Sequence, residues 1–247
     1  MEKREWFEEW FGTPYCRMLY KGRDETEADL FTQNIVQLLN PHQKSLILDV
    51  ACGSGRHAEA ISPYAQEVIG IDINLDCITA AQLREKENLS FFKHDMRRLF
   101  RINYFDIVLS LFTSFGYFDR TEDEKKAAYS LAANIKPGGF LVFDYLNERK
   151  LRDRLVLREE LMTDGIHFNL NRRIEGNRII KKIEIQDLTG THQFEERVWL
   201  YSMKEIKDLF SRYGLRMIYT FGDYYLQDYH PDHSDRLIAV FQKNQTT

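Results

Sequence analysis

The stretch Leu46-Ile-Leu-Asp-Val-Ala-Cys-Gly-Ser-Gly-Arg-His57 constrains this chain most, because an apolar run passes into a glycine turn with an acid placed just before it. It reads as a buried strand, a loop and the start of a helix. Gly53 and Gly55 lack a Cβ, so the backbone can take positive φ and approach a ligand closely, while the free N–H groups of the following helix face the same spot. The spacing Gly53-x-Gly55-x-x-Ala58 also satisfies the relaxed dinucleotide pattern, which would seat a pyrophosphate there. Asp49 argues against that occupant. A carboxylate at the strand end repels an anion and pairs with an ammonium.

Later strand ends repeat the theme. Glu67-Val-Ile-Gly-Ile-Asp72 is a second apolar run closed by an acid, and a carboxylate there can accept hydrogen bonds from both hydroxyls of a ribose. A third run ends in Asp95-Met96, and a fourth is Tyr104-Phe-Asp-Ile-Val-Leu-Ser110. Ile135-Lys-Pro-Gly-Gly-Phe-Leu-Val-Phe-Asp144 looks like a helix end, a Pro-Gly-Gly turn and a fifth strand. In this order the motifs resemble the class I S-adenosylmethionine-dependent methyltransferases, whose motif I is a hydrophobic run followed by D-x-x-C/G-G-x-G. Ser202 to Leu215 and Ser234 to Phe241 resemble that family's last helix and last strand. Leu111-Phe-Thr-Ser-Phe-Gly-Tyr-Phe118 resembles the aromatic loop of a small-molecule subset.

The resemblance implies S-adenosylmethionine as cofactor, held by Tyr15, Tyr20, Arg23, Asp49, Ala51, Gly53, Gly55, Asp72, Ile73, Asp95, Met96, Ser110 and Phe112. The loop would lie under the methionine part, and Asp95 beside the adenine amino group. It also implies a Rossmann-like α/β fold with a mostly parallel seven-stranded sheet and helices on both faces. Alternation of helix and strand from Asp24 to Leu146 independently points to the α/β class. Asp24-Glu-Thr-Glu27 reads as a capping box for the first long helix.

A single methyltransferase domain over 1–247 is expected to carry two additions. The segment 150–201 contains three runs of alternating apolar and polar residues, beginning at Ile166, Arg178 and Phe194, with Glu175-Gly-Asn and Asp187-Leu-Thr-Gly as turns. These predict a three-stranded antiparallel insertion that caps the substrate; a dimerisation or stability element is the alternative. The segment 1–23 predicts a lid, because Trp6, Phe7, Trp10 and Phe11 form aromatic i, i+4 pairs that need a surface to cover. Tyr20 and Phe115 are expected to wall the reacting methyl, since aromatic faces favour a sulfonium cation; ordinary core packing is the other reading of each. Arg23 would meet the methionine carboxylate or pair with Glu27.

Methyl transfer from a sulfonium is an in-line displacement, for which alignment and exclusion of water suffice and no catalytic triad is needed. If a base is used, the insertion offers His167, His192, Glu195 and Glu196, with His192 carried forward as a catalytic candidate. Asn147 could orient the substrate. His230-Pro-Asp-His233 is expected to be a loop and not a metal site.

The net charge of -4 among 247 residues supplies no general field for nucleic acid or anionic membrane. No run approaches the roughly 20 apolar residues that span a bilayer, and the mixed-charge start does not read as a signal peptide. Cys16, Cys52 and Cys77 show no C-x-x-C spacing. The expectation is a cytoplasmic enzyme acting on a small-molecule amine, hydroxyl or carboxylate, without nucleic-acid or membrane partners and compatible with a homodimer. An RNA methyltransferase, a non-catalytic cofactor-binding subunit and a nicotinamide oxidoreductase are the alternatives.

Overall fold

The computed structural model describes residues 5–22 and 25–245. Two short helices open the chain, α1 (Trp6–Trp10) and α2 (Pro14–Leu19), followed by α3 (Glu25–Leu39). The expected capping residue Asp24 lies outside the described residues. Strand and helix then alternate through β1 (Leu46–Val50), α4 (Arg56–Ile61), β2 (Glu67–Asp72), α5 (Leu75–Gln82), β3 (Leu89–Lys93), β4 (Phe105–Ser110), α6 (Thr121–Asn134) and β5 (Ile135–Leu146). Next come α7 (Glu148–Asp153), four strands β6 (Arg158–Thr163), β7 (Ile166–Glu175), β8 (Arg178–Asp187) and β9 (Gly190–Trp199), then α8 (Met203–Ser211), β10 (Leu215–Phe221) and β11 (Arg236–Lys243).

The central sheet has seven strands in the order β10-β11-β5-β4-β1-β2-β3. All pairings are parallel except those of β11, which runs against both neighbours. Alternate residues of the buried strands feed two cores. Leu48, Val108 and Phe143 join α6 and α8 residues such as Leu131 and Phe210 on one face, whereas Ile47, Ile107 and Val142 meet Phe31, Ile35 and Ala58 of α3 and α4 on the other. Caps start the helices locally. Asn74 accepts from the backbone of Asp76 and Cys77 to begin α5, and Ser202 with Glu205 forms a capping box on α8.

Two expectations need correction. The insertion is a four-stranded sheet, β6-β7-β8-β9, and not a three-stranded one. The added strand reads Arg-Glu-Glu-Leu-Met-Thr, which offers little apolar alternation to recognise. Pro137-Gly-Gly is not a turn before β5 but a bulge inside it, where the register slips from Phe105 opposite Ile135 to Ile107 opposite Phe140. Gly139 is required there, since a Cβ would lie 2.7 Å from the Asp106 carbonyl oxygen.

The N-terminal helices pack chiefly on the insertion. Trp10 and Cys16 share a third core with Phe168, Leu170, Ile183 and Ile185. No described helix is long and apolar enough to cross a membrane.

Candidate functional site

Strand order reverses between β1 and β4, and in open α/β sheets that is where the crevice outside the C-terminal strand ends opens. A cavity of about 690 Å³ lies there, walled on the far side by the insertion and closed by α1 and α2. Asp49, Ala51, Gly53, Asp72, Ile73, Asp95, Met96, Phe112 and Tyr20 all border it.

The loop after β1 is bent as the sequence implies. Ala51 and Gly53 have φ of 58° and 56°, and no atom lies within 4 Å of where a Gly53 Cβ would be, so this backbone faces open space. Asp49 is 2% exposed, and its Oδ2 has no hydrogen-bond partner among the described residues. Burial, with the nearby Asp72 charge adding to it, pushes the Asp49 carboxyl up to about 7. Asp72 accepts from Gly53 N at 3.0 Å and from Asn74 N at 2.8 Å. Burial raises its carboxyl too, against the pull of those N–H groups.

At the end of β3, Asp95 is gripped by Arg97 through Nε and a terminal nitrogen at 2.7–3.0 Å and by the Arg97 backbone N–H. Burial opposes ionisation, yet these bonds hold its carboxyl below the usual range. Arg97 also reaches Glu5 at 2.7 Å, tying the N-terminal segment to the same corner. After β4, Phe112 and Thr113 both have φ of 59°, a strained pair held by Asp144. Asp144 accepts from Phe112 N at 2.7 Å and pairs with Arg236 at 2.8 Å, and Arg236 in turn donates to Thr113 Oγ1. His57 packs at a tilt against Phe112, with ring centroids 4.9 Å apart; burial lowers its imidazole to about 3, so it is neutral.

Other expected residues fall elsewhere. Phe115 does not wall the cavity: it is 1% exposed and packs against Phe143, Tyr201 and Phe210 in the core. Tyr15 lies against Asp187 and His192 at the far end of the β8–β9 hairpin, so neither Tyr15 nor His192 borders the cavity. Gly55 is also absent from the lining. It has φ of 81° and a Cβ there would come within 2.5 Å of Phe91, so its glycine serves packing. Ser110 is buried beneath the lining. Arg23 lies outside the described residues.

Of the four base candidates, only Glu196 reaches the cavity. His167 faces Glu160 and Glu195 faces Arg173 and Arg197. Asn147 does not border the cavity; its amide donates to the carbonyls of Pro231 and Ser234 and pins that loop. His230 and His233 stack at 4.6 Å, and no group of three or more metal-ligating side chains occurs among the described residues. The reading from sequence missed Arg172, Lys181, Arg97 and the Asp144–Arg236 pair. Arg172, Lys181 and the Asp144–Arg236 pair meet their partners across strands, which only register brings together, whereas Arg97 stands two residues beyond Asp95.

Residues 47–139 match the family described as a methyltransferase domain. Over 126 residues the chain is 32% identical to the dTDP-3-amino-3,4,6-trideoxy-alpha-D-glucopyranose N,N-dimethyltransferase of Streptomyces venezuelae, covering 51% of this chain and 52% of that one. The chain thus spans about half the length of this curated relative. Its fold matches a S-adenosylmethionine-dependent methyltransferase from Clostridium acetobutylicum with a TM-score of 0.78 at 17% identity, over 93% of this chain and 96% of that one. It also matches S-adenosylmethionine-bound CalS10, an amino pentose methyltransferase from Micromonospora echinaspora, with a TM-score of 0.68 at 19% identity, over 94% and 98%.

Proposed function

We propose that this chain, whose residues 47–139 belong to the methyltransferase domain family and whose fold is that of the class I S-adenosylmethionine-dependent enzymes, methylates a nitrogen or oxygen of a small molecule. The observation that carries this reading is Asp49. A buried carboxylate oxygen without a partner among the described residues, beside a loop whose backbone faces open space, fits the ammonium of the cofactor's methionine end and repels a pyrophosphate.

The remaining assignments follow from position. Ala51 and Gly53 bring backbone close to the methionine part. Asp72 keeps lone pairs beyond those used by Gly53 N and Asn74 N, enough to accept from ribose hydroxyls. Asp95, oriented by Arg97, is placed for the adenine amino group, and Ile73, Met96 and Phe112 give apolar walls. The bound cofactor supplies an electrophilic methyl on a sulfonium. Phe7, Phe11, Tyr20 and Tyr117, all on the lining, exclude water and present aromatic faces to a cation, an attraction of about 0.5–2 kcal/mol.

Nitrogen is the favoured acceptor atom, in line with the amino-sugar enzymes among the relatives. Incubating the protein with methyl-labelled cofactor and a metabolite extract, followed by mass spectrometry, tests the reading. A labelled small amine or alcohol is expected. Label confined to RNA, or none transferred by protein that binds the cofactor, contradicts it.

A further inference from the structure

Register places three charges side by side in the insertion. Arg172 of β7 pairs with Lys181 of β8, and Lys181 pairs with Glu196 of β9. All three border the cavity, with side chains only 18%, 13% and 11% exposed. The positions two residues away on the same face are Leu170, Ile174, Ile179, Ile183, Phe194 and Val198, all apolar. A charged row in that setting costs desolvation that the sheet's own packing does not call for.

The row's hydrogen bonds leave more donors than acceptors free for a ligand. Glu196 already accepts from Trp10 Nε1 at 2.7 Å, from the Tyr20 hydroxyl at 2.6 Å and from Lys181 Nζ at 2.6 Å. Lys181 spends one N–H on Glu196 and another on the Tyr20 hydroxyl, which leaves the third of an ammonium's donors. Arg172 gives one terminal nitrogen to Glu159 at 2.5 Å and the other to the Val156 carbonyl, and the rest of its fork has no partner among the described residues. Oε1 of the row's carboxylate is thus filled by the N-terminal segment and Oε2 keeps one acceptor site beside Lys181, while the rest of the row's spare capacity consists of donors on two cations.

We infer that Arg172 and Lys181 form a subsite for an anionic group, a carboxylate or a phosphate, carried by the methyl acceptor. The inference rests on the methyltransferase reading of the same cavity. Charge-assisted bonds from a guanidinium fork and an ammonium fix such a group strongly and directionally, which sets the reach from the anchor to the methylated atom. The apolar neighbours Ile179 and Val198 flank the anchor and suit a compact organic body.

The test uses protein saturated with S-adenosylhomocysteine, titrated by calorimetry with sodium phosphate and with sodium acetate against chloride of equal ionic strength. Saturable binding of one or both is expected, and the stronger arm identifies the anion class. Arg172→Gln should weaken it about tenfold or more, the usual loss for a bond to a charged group. Lys181→Met combined with Glu196→Gln should do the same while leaving no unpaired buried charge, and thermal melting verifies that both variants fold. The labelled product of the transfer assay should be retained on an anion exchanger. No saturable binding of either anion, affinity unchanged in both variants, or a product without negative charge overturns the subsite. Failure of the cofactor reading is separately visible, because S-adenosylhomocysteine itself would then not bind.

Discussion

Asp72 braces its own loop and, on the proposed reading, also holds the ribose of the cofactor. Its oxygens brace the loop through Gly53 N and shape the start of α5 through Asn74 N, while their remaining lone pairs face the cavity. Asp72→Ala removes both, so cofactor affinity should fall by about 10- to 150-fold, equivalent to about 1.5–3 kcal/mol. Asp72→Asn keeps one acceptor oxygen and should fall between. Calorimetry with S-adenosylhomocysteine measures this, and an unchanged dissociation constant in the Ala variant would remove strand β2 from the site. At this scale the sequence was most legible where the chain itself makes the site: Asp49, Ala51, Gly53, Asp72, Asp95 and Phe112 sit at strand ends that apolar runs announce. It was least legible where a side chain is aimed by tertiary packing, as with Phe115, which the same aromatic composition would suit in a wall or in a core.

The α1–α2 segment closes the cavity through contacts with two different elements. Glu5 meets Arg97 near β3, and Trp10 and Tyr20 meet Glu196 of β9. Tyr20→Phe deletes one bond of that anchor without opening a large void. It should speed hydrogen exchange in 5–22 and lower turnover of a bound acceptor more than cofactor affinity. Equal exchange in both proteins would show that the Tyr20–Glu196 bond does not hold the segment. Phe115→Ala should behave differently. Its loss from the core is expected to cost about 3–5 kcal/mol of stability while molecules that remain folded turn over normally, a pattern that melting and single-turnover rates distinguish. The long helices and buried strands were readable because apolar periodicity drives their burial. Strand β6 and helix α2 were not, since the adjacent Leu161 and Met162 of one break the alternation of a half-buried strand and the other has only six residues, begun by Thr13 and Pro14.

The whole molecule couples this site to its pH behaviour. Glu124 of α6 is 2% exposed, accepts from Phe118 N at 3.0 Å, and has an Oε2 without a partner among the described residues. Burial raises its carboxyl from 4.5 to about 8. A carboxyl that titrates higher folded than unfolded adds stability that is fully present below 4.5 and lost as pH rises through about 8. Melting temperature should therefore decline over that window, and Glu124→Gln should flatten the decline; an identical slope in the variant would assign it to other groups. Asp49 contributes in the same direction up to about 7, and it bears on the central claim. If its unpartnered oxygen receives the cofactor's ammonium, binding must strip the proton that burial retains. The most direct measurement is calorimetry of S-adenosylmethionine and NAD against the protein below pH about 7, in buffers of different ionisation enthalpy. S-adenosylmethionine should bind with release of a proton that Asp49→Asn abolishes, and NAD should give no saturable heat. Tight NAD binding with no response to S-adenosylmethionine would contradict the assignment of the cavity.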